Sequence, residues 1–259
     1  MIAVDLRVVV ENLPYMLTGL RWTIILSMVS MAGSFVGGAA FAMLRLSPWW
    51  WVRWPAILYI DIVRTVPLIM VIFWAFFLVP VLTAHATTPV KAAIFALILF
   101  NTSYMAEVIR AGIQSIPKGQ VEASRAIGLT YLQAMRHVVL PQALRHMSPA
   151  LVSRFIALFM GTSLVYIIGV TEFFRAANNV NNRVYRSYEI YGFVAIVYFV
   201  CCYTLSLASS ALERRFAVPD GAGSDTRGGA LTLRVRPRGV RTVTSVFGRV
   251  TGSDFRRPE

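Results

Sequence analysis

The sequence has few charged side chains for its length, and almost none of them are lysines. Only 14% of the 259 residues are charged while 57% are hydrophobic, and the mean hydropathy is +0.63. A soluble domain of this size would need more charge on its surface. Lys91 and Lys118 are the only lysines, so arginine supplies nearly all of the positive charge behind the formal +13. This composition favours a membrane protein over a soluble globular domain.

The sequence also lacks the residues that common catalytic and metal sites require. A phosphate-binding P-loop ends in Gly-Lys-Ser/Thr, and neither lysine follows a glycine, so the chain cannot be a P-loop ATPase by itself. Cys201 and Cys202 are adjacent within an apolar run and predict neither a disulfide framework nor a metal site. No nucleophile, base or metal ligands cluster along the chain, and its histidines lie far apart. We therefore predict no catalytic residue, no metal site and no cofactor on this chain.

The apolar residues fall into segments long enough to cross a lipid bilayer, which takes about 20 residues in a helix. Asp5, Arg7 and Glu11 precede the first segment, which is too long for a signal peptide and is expected to be retained. The sequence predicts an all-α membrane protein with an N-terminal periplasmic segment at 1–18 and a membrane domain at 19–216. A basic tail, 217–259, is expected to be disordered and cytoplasmic. The five predicted spans are 19–44, 54–82, 91–112, 148–170 and 191–212.

The positions of arginine and lysine predict the orientation of these spans. With the N-terminus outside, ten basic residues before the tail fall on the inner side and five on the outer side. This bias favours an N-out, C-in arrangement. Basic residues beside apolar spans also fit anionic lipid headgroups better than nucleic acid, so membrane lipid is an expected partner and nucleic acid is not.

A mostly basic segment, 113–146, interrupts the apolar pattern between the third and fourth predicted spans. Gly128 permits a turn that other residues resist, and Pro141 either ends the second stretch or starts the next helix. We therefore predict two short helices around a turn, a shape that the cleft of another protein could hold. An ordinary amphipathic interface helix is the alternative. The residues that carry the pattern are Glu122, Ala123, Ser124, Gly128, Val138, Leu140 and Pro141.

This spacing resembles the EAA loop of ABC importer permeases, where Glu-Ala-Ala is followed after three residues by Gly, and nine residues later by Ile-x-Leu-Pro. Ser124 and Val138 depart from that pattern conservatively. Residues 103–123 and 162–177 look like the polar amino-acid branch, and the likeness covers roughly 19–216. The stretch RTVPLIMVIFW, from Arg64 onward, looks closer to the glutamate/aspartate permeases of that branch.

The resemblance implies a type I (MetI-like) permease in a bacterial inner membrane, with the EAA loop as the element that couples to an ATPase. ATP and Mg would then be bound by separate ATPase subunits and not by this chain. Five helices are few for enclosing a path, so a second permease, identical or homologous, is expected. A periplasmic or tethered binding protein would deliver the amino acid, with glutamate or aspartate as the expected substrate.

Ionisable side chains near the spans are candidates for the translocation path. Asp61 and Arg64 are three residues apart, as are Glu107 and Arg110, so each pair could form an ion pair on one helix face. The alternative is that Arg64 or the outer arginines favour an anionic substrate. The asparagine-rich stretch 178–183 is predicted as a loop of turns and caps. The candidates for the path are Arg64, Glu107, Arg110, Thr162 and Ser163, and those for contact with the binding protein are Arg175, Arg183 and Arg186.

Two other classes of protein are compatible with an apolar chain of this length. A self-sufficient secondary transporter or channel would predict more spans, internal repeats and activity without an ATPase. An intramembrane enzyme would require the clustered catalytic residues that the sequence lacks. Neither class explains the spacing within 113–146.

Overall fold

The computed structural model describes residues 7–216, with side chains through residue 211. The predicted tail, 217–259, and the first six residues of the predicted N-terminal segment lie outside that range. The part described contains α-helices, two π-helical turns and one 3₁₀ stretch, and no strand. The helices are α1 Arg7–Leu46, α2 Trp50–Thr65, α3 Leu68–Phe73, α4 Val79–Thr83, α5 Pro89–Gln114, α6 Lys118–Ala126, α7 Tyr131–Ala134, α8 Leu140–Gly161, α9 Phe173–Val184 and α10 Ser187–Phe216.

The predicted all-α membrane fold is confirmed. Within residues 7–216, four helical segments are long and apolar enough to cross a membrane: α1, α5, α10, and the segment 131–168 that includes α8. The second predicted span, 54–82, is not one straight helix, because α2 and the helices after it meet at an angle of 107°. If that bent pair is one span, the total is the predicted five.

The bend follows from Pro67. The residue before a proline is pushed out of the helical region, and Val66 accordingly adopts φ −89° and ψ 135°. Proline also lacks the N–H that would continue the hydrogen-bond ladder of α2. Helix α3 then restarts at Leu68, so the chain is broken within an apolar region.

The helix that contains Pro141 is continuous with the segment before it. α7 leads through a π-helical turn, Met135–Val139, directly into α8, which begins at Leu140. Pro141 therefore lies inside a continuous helical segment, just after the π-helical turn. Neither predicted role for Pro141 is found, since no helix ends or starts there, and the second of the two predicted short helices is continuous with the span that follows.

The prediction that 178–183 is a loop is wrong, since these residues lie within α9, Phe173–Val184. Their side chains bind neighbouring helices and do not form turns. Asn179 Nδ2 donates to the Tyr15 hydroxyl of α1 at 3.0 Å, and the Tyr191 hydroxyl of α10 donates to Asn178 Oδ1 at 2.9 Å. Contacts to two long helices thus outweigh the local preference of asparagine for turns.

Candidate coupling segment and translocation path

The helical bundle has two ends that carry different short helices. At one end, called the α6 end, Ile116, Val121 and Val139 pack in one apolar cluster with Ala42 of α1. At the other end, called the α9 end, Phe173 and Val180 of α9 pack with Met16 of α1 and Ile190 of α10. The candidate coupling residues lie at the α6 end and the candidate arginines for binding-protein contact at the α9 end.

The predicted turn between two short helices occurs at Gly128, which adopts φ +89°. The Gly128 N–H donates to Arg125 O at 3.0 Å and the Leu129 N–H donates to Ser124 O at 3.1 Å, so these bonds close the end of α6. Thr130 then begins α7 with a capping box, in which its side chain and that of Gln133 bind each other's backbone N–H. The turn is therefore fixed at both sides by local hydrogen bonds.

Most of the predicted coupling residues face solvent at this end of the bundle. Glu122, Ala123, Gly128, Leu140 and Pro141 are exposed and Val138 is half-buried. Ser124 is buried, and its hydroxyl donates to Val121 O at 2.7 Å. The hydroxyl of Ser124 thus has its acceptor within α6, while the neighbouring side chains remain accessible.

Two exposed apolar side chains adjoin the turn and were not singled out from the sequence. Ile127 is 79% exposed and Leu132 is 74% exposed, one on each side of Gly128. Tyr131 is exposed as well, with the Arg125 guanidinium 6.0 Å from its ring centre. Large apolar side chains that remain exposed on a basic surface are typical of a protein–protein contact. In the sequence, the position of Ile127 and Leu132 beside Gly128 is the feature that could have indicated them.

Ion pairs connect α1, α2 and α5 near the α6 end. The predicted pair of Glu107 and Arg110 is present, with Oε2 and Nη2 2.9 Å apart. Glu107 Oε1 also pairs with Arg45 Nη1 of α1, which the sequence did not indicate. The predicted pair of Asp61 and Arg64 is wrong, since Asp61 lies instead 4.0 Å from Arg45 Nη1. Arg45 of α1 thus meets one carboxylate from α5 and one from α2.

Arg64 is directed toward α5 and meets a residue that the sequence did not single out. Its guanidinium carbon lies 5.1 Å from the centre of the Tyr104 ring, and that of Arg154, from α8, lies 4.0 Å from the same centre. Arg154 Nη2 also donates to Asn101 Oδ1 at 3.3 Å. The structure therefore brings α2, α5 and α8 together around one aromatic ring.

The hydroxyl groups of Thr162 and Ser163 are engaged within their own helical turn. Thr162 Oγ1 donates to Phe159 O and Ser163 Oγ donates to Met160 O, each at 2.7 Å. Thr162 is fully buried and Ser163 is half-buried. Because each hydroxyl proton already has an acceptor, these side chains are less available to a substrate than Arg64.

The three candidate arginines at the α9 end differ in how tightly they are held. Arg175 Nη1 donates to Tyr166 O at 2.6 Å, so its charge is directed back toward the bundle. Arg183 is exposed near the Tyr15 ring, and Arg186 Nη1 lies 3.8 Å from Glu189 Oε1. Arg183 and Arg186 are therefore the more accessible of the three.

No group of three or more histidine, cysteine, aspartate or glutamate side chains within the described part of the chain could hold a metal ion. The candidate site is thus built from arginine side chains, aromatic rings and exposed apolar groups. Such an arrangement can bind anions and protein surfaces.

Comparison with known proteins places most of the chain in one family. Residues 30–218 match the family described as the binding-protein-dependent transport system inner membrane component. A glutamate/aspartate import permease protein, GltK, of Escherichia coli is 38% identical over 220 residues, which cover 82% of this chain and 98% of that protein. A probable glutamine ABC transporter permease protein, GlnM, of Bacillus subtilis is 32% identical over 211 residues, covering 82% and 97% of the two chains.

A solved structure shares the same fold. A chain from the crystal structure of an amino acid ABC transporter with histidines superposes with a TM-score of 0.77 at 31% sequence identity. The superposition covers 83% of this chain and all of that one. The arrangement of α1 to α10 is therefore that of a type I importer permease, as the sequence predicted.

Proposed function

Because this chain belongs to the family of binding-protein-dependent inner-membrane transport components, we propose that it is the permease subunit of an importer for glutamate or aspartate. It is an amino-acid ABC permease, a multi-pass protein of the bacterial inner membrane. The chain is a non-catalytic subunit, and ATP hydrolysis occurs on a separate one. The match over residues 30–218 carries this conclusion.

The acidic substrate is supported by one relative and by the charges of the bundle. The Escherichia coli relative is named for glutamate and aspartate, whereas the Bacillus subtilis relative is named for glutamine. Arg64 and Arg154 meet at the Tyr104 ring, where an anion would be favoured. An acidic amino acid therefore fits this chain better than a neutral one.

The exposed segment around Gly128 is the proposed contact with the ATPase. It presents Ile127 and Leu132 to solvent beside a turn that is closed by its own hydrogen bonds. A rigid turn can transmit a displacement of the ATPase to α8, since α7 and α8 form one continuous helix. Binding of ATP and Mg to the ATPase would then favour one conformation of the helical bundle over another.

Two further partners complete the proposed transporter. A second permease, identical or homologous, would enclose the path together with this chain. A periplasmic or tethered binding protein would dock at the α9 end, where Arg183 and Arg186 are exposed. The predicted orientation, with the N-terminus outside, puts this end on the outer face.

The direct test is to purify the chain from its native membrane in a mild detergent and to measure ATPase activity. We expect an ATPase to copurify and its activity to rise when a binding protein loaded with glutamate or aspartate is added. If the chain purifies alone and transports its substrate in vesicles without an ATPase, the proposal is wrong and the chain is a self-sufficient transporter.

The role of the turn is tested by adding one methyl group at each of two glycines of the coupling segment. A Cβ at Gly119 or at Gly128 would have no atom within 4 Å, but only Gly128 has a positive φ. An L-residue there costs about 1–2 kcal/mol. We expect Gly128→Ala to reduce the stimulated ATPase activity several-fold and Gly119→Ala to leave it unchanged. Equal activities of the two variants would show that the turn does not couple the subunits.

A more severe variant separates loss of coupling from loss of the ATPase contact. Gly128→Pro cannot adopt φ +89° and also removes the N–H that donates to Arg125 O. We expect this variant to release the ATPase during purification while the permease itself remains in the membrane. Retention of a fully stimulated ATPase by Gly128→Pro would contradict the assignment of this segment.

A further inference from the structure

Two arginines from different helices approach one aromatic ring. The guanidinium carbons of Arg154 and Arg64 lie 4.0 Å and 5.1 Å from the centre of the Tyr104 ring. Arg154 lies well inside the continuous helical segment 131–168, which is long and apolar enough to cross a membrane.

Arg154 is held by neutral groups only. Nη2 donates to Asn101 Oδ1 at 3.3 Å, while Nε is buried and has no hydrogen-bond partner. Among the residues that the structure describes, no carboxylate lies within ion-pair distance of Arg154. A buried donor without an acceptor is costly, and so is an arginine in a span without a counter-ion. This arrangement is expected where an external anion completes the site.

The nearest acidic side chains are already used by other arginines. Glu107, three residues after Tyr104 on α5, pairs with Arg45 and Arg110. Asp61, three residues before Arg64 on α2, lies 4.0 Å from Arg45 and is 59% exposed. The charge of Glu107 also attracts Arg64, but among the described residues here four arginines (Arg45, Arg64, Arg110 and Arg154) share these two carboxylates, so positive charge remains in excess.

The break between α2 and α3 lies beside this pair of cations. Arg64 is the penultimate residue of α2, and the chain leaves the helix at Val66 before Pro67. Helices that are interrupted within a membrane place irregular backbone where a substrate or ion is bound. α3 is also close to α8, since a Cβ added at Gly161 would lie 3.1 Å from Leu68 Cδ2. The break and the two arginines therefore belong to one region of the bundle.

We infer that Arg154 and Arg64 form a binding site within the permease for the carboxylates of an acidic amino acid. Two cations match the two carboxylates of glutamate or aspartate, whereas a neutral amino acid offers one carboxylate and leaves an arginine unpaired. Arginine binds a carboxylate through two parallel N–H···O bonds, and Nε of Arg154 has no acceptor among the described residues. This inference rests on the proposed function and adds the residues that would select the charge of the substrate.

The test measures substrate binding by the permease without the binding protein. The purified complex of permease and ATPase, in lipid nanodiscs, is dialysed to equilibrium against radiolabelled L-glutamate. We expect Arg154→Gln to weaken glutamate binding about tenfold or more, because a charge-assisted hydrogen bond is lost. Arg53→Gln, which removes an exposed cation from the same helix as Arg64, is the matched control and should bind as the unaltered protein does.

Two further variants keep the test decisive if Arg154→Gln does not fold. Arg154→Lys retains the charge but not the planar donor pair, and should bind glutamate with intermediate affinity. Arg64→Gln alters an exposed side chain, so folding should persist while glutamate binding weakens. Glutarate, which has two carboxylates and no ammonium group, should compete with glutamate better than L-glutamine does.

Several outcomes would overturn the inference. Glutamate binding that is equal in Arg154→Gln, Arg64→Gln and Arg53→Gln would show that the arginines do not bind the substrate. If the unaltered complex does not bind glutamate, the inference is also wrong. It is wrong as well if chloride competes with glutamate as strongly as glutarate does. If an ATPase copurifies and responds to a loaded binding protein in these cases, the proposed function stands and only this site is rejected.

Discussion

Glu172 is a carboxylate placed just outside the membrane-spanning segments and removed completely from solvent. Its two oxygens accept hydrogen bonds from the backbone N–H groups of Phe174 and Arg175, each at 2.8 Å, so it caps the start of α9. Thr23 of α1 and Tyr198 of α10 lie 3.4 Å from the same carboxylate. Burial raises the pKa of Glu172 to about 7, and the backbone hydrogen bonds offset part of that effect.

The raised pKa predicts that stability depends on pH through this residue. The folded protein binds a proton at Glu172 more tightly than the unfolded chain, whose pKa is near 4.5. The stabilisation is therefore complete below about pH 4.5 and is lost as the pH rises through about 7. We expect the melting temperature in detergent to fall between pH 5.5 and pH 8.

Glu172→Gln is the control for that measurement, since the amide keeps an oxygen that accepts a backbone N–H but has no titrating proton. The variant should lose most of the fall in melting temperature across the same pH range. If the unaltered protein and Glu172→Gln respond identically to pH, another group is responsible.

At the scale of elements, the fold depends on how closely α1 approaches its neighbours. Gly19 of α1 is fully buried against α9, where an added Cβ would lie 2.7 Å from Ala176 Cβ and 2.9 Å from Glu172 O. Neither atom belongs to the flexible end of a side chain, so the two helices would have to separate. Small residues allow this approach, which is the usual means of packing helices in a membrane.

We expect Gly19→Ala to destabilise the protein by about 1–3 kcal/mol, because overpacking displaces backbone. Gly192→Ala in α10 is the matched control, since a Cβ there has no atom within 4 Å. Its stability should be unchanged or slightly higher, given the better helix propensity of alanine. The melting temperatures of both variants, measured in the same detergent, test this prediction. Equal melting temperatures would mean that α1 and α9 can separate with little loss of folding free energy.

At the scale of the whole molecule, one copy offers few helices for a closed path. Residues 7–216 supply four long helical spans and one bent pair, and many large apolar side chains on them remain exposed. Lipid covers part of such a surface, and a second permease would cover another part. α1, α8 and α10 also form an apolar groove lined by Met28, Phe35, Val152, Phe155 and Leu205.

The proposed pairing predicts a stoichiometry. Native mass spectrometry of the purified complex should show two permease chains and two ATPase chains. If the partner is an identical copy, each complex will contain this 28.9 kDa chain twice. A complex with a single permease chain of any kind would contradict the pairing.

The sequence by itself determined the class of fold, the long apolar helices and the position of the turn. These features follow from local chemistry: apolar residues in runs of sufficient length and a glycine where φ must be positive. The break at Val66–Pro67 could have been found by the same reasoning, because the residue before a proline disfavours the helical region. The candidate coupling segment could be picked out because its pattern lies within one stretch of chain.

Only the tertiary structure decided which charged groups meet. Asp61 and Arg64 were expected to pair because they lie three residues apart, yet Asp61 is nearest Arg45 of another helix. Arg154 is 50 residues from Tyr104 in the sequence, and Asn178 and Asn179 bind helices that no local pattern identifies. A side chain's partners in a bundle depend on how whole helices pack, and a local sequence pattern does not contain that information.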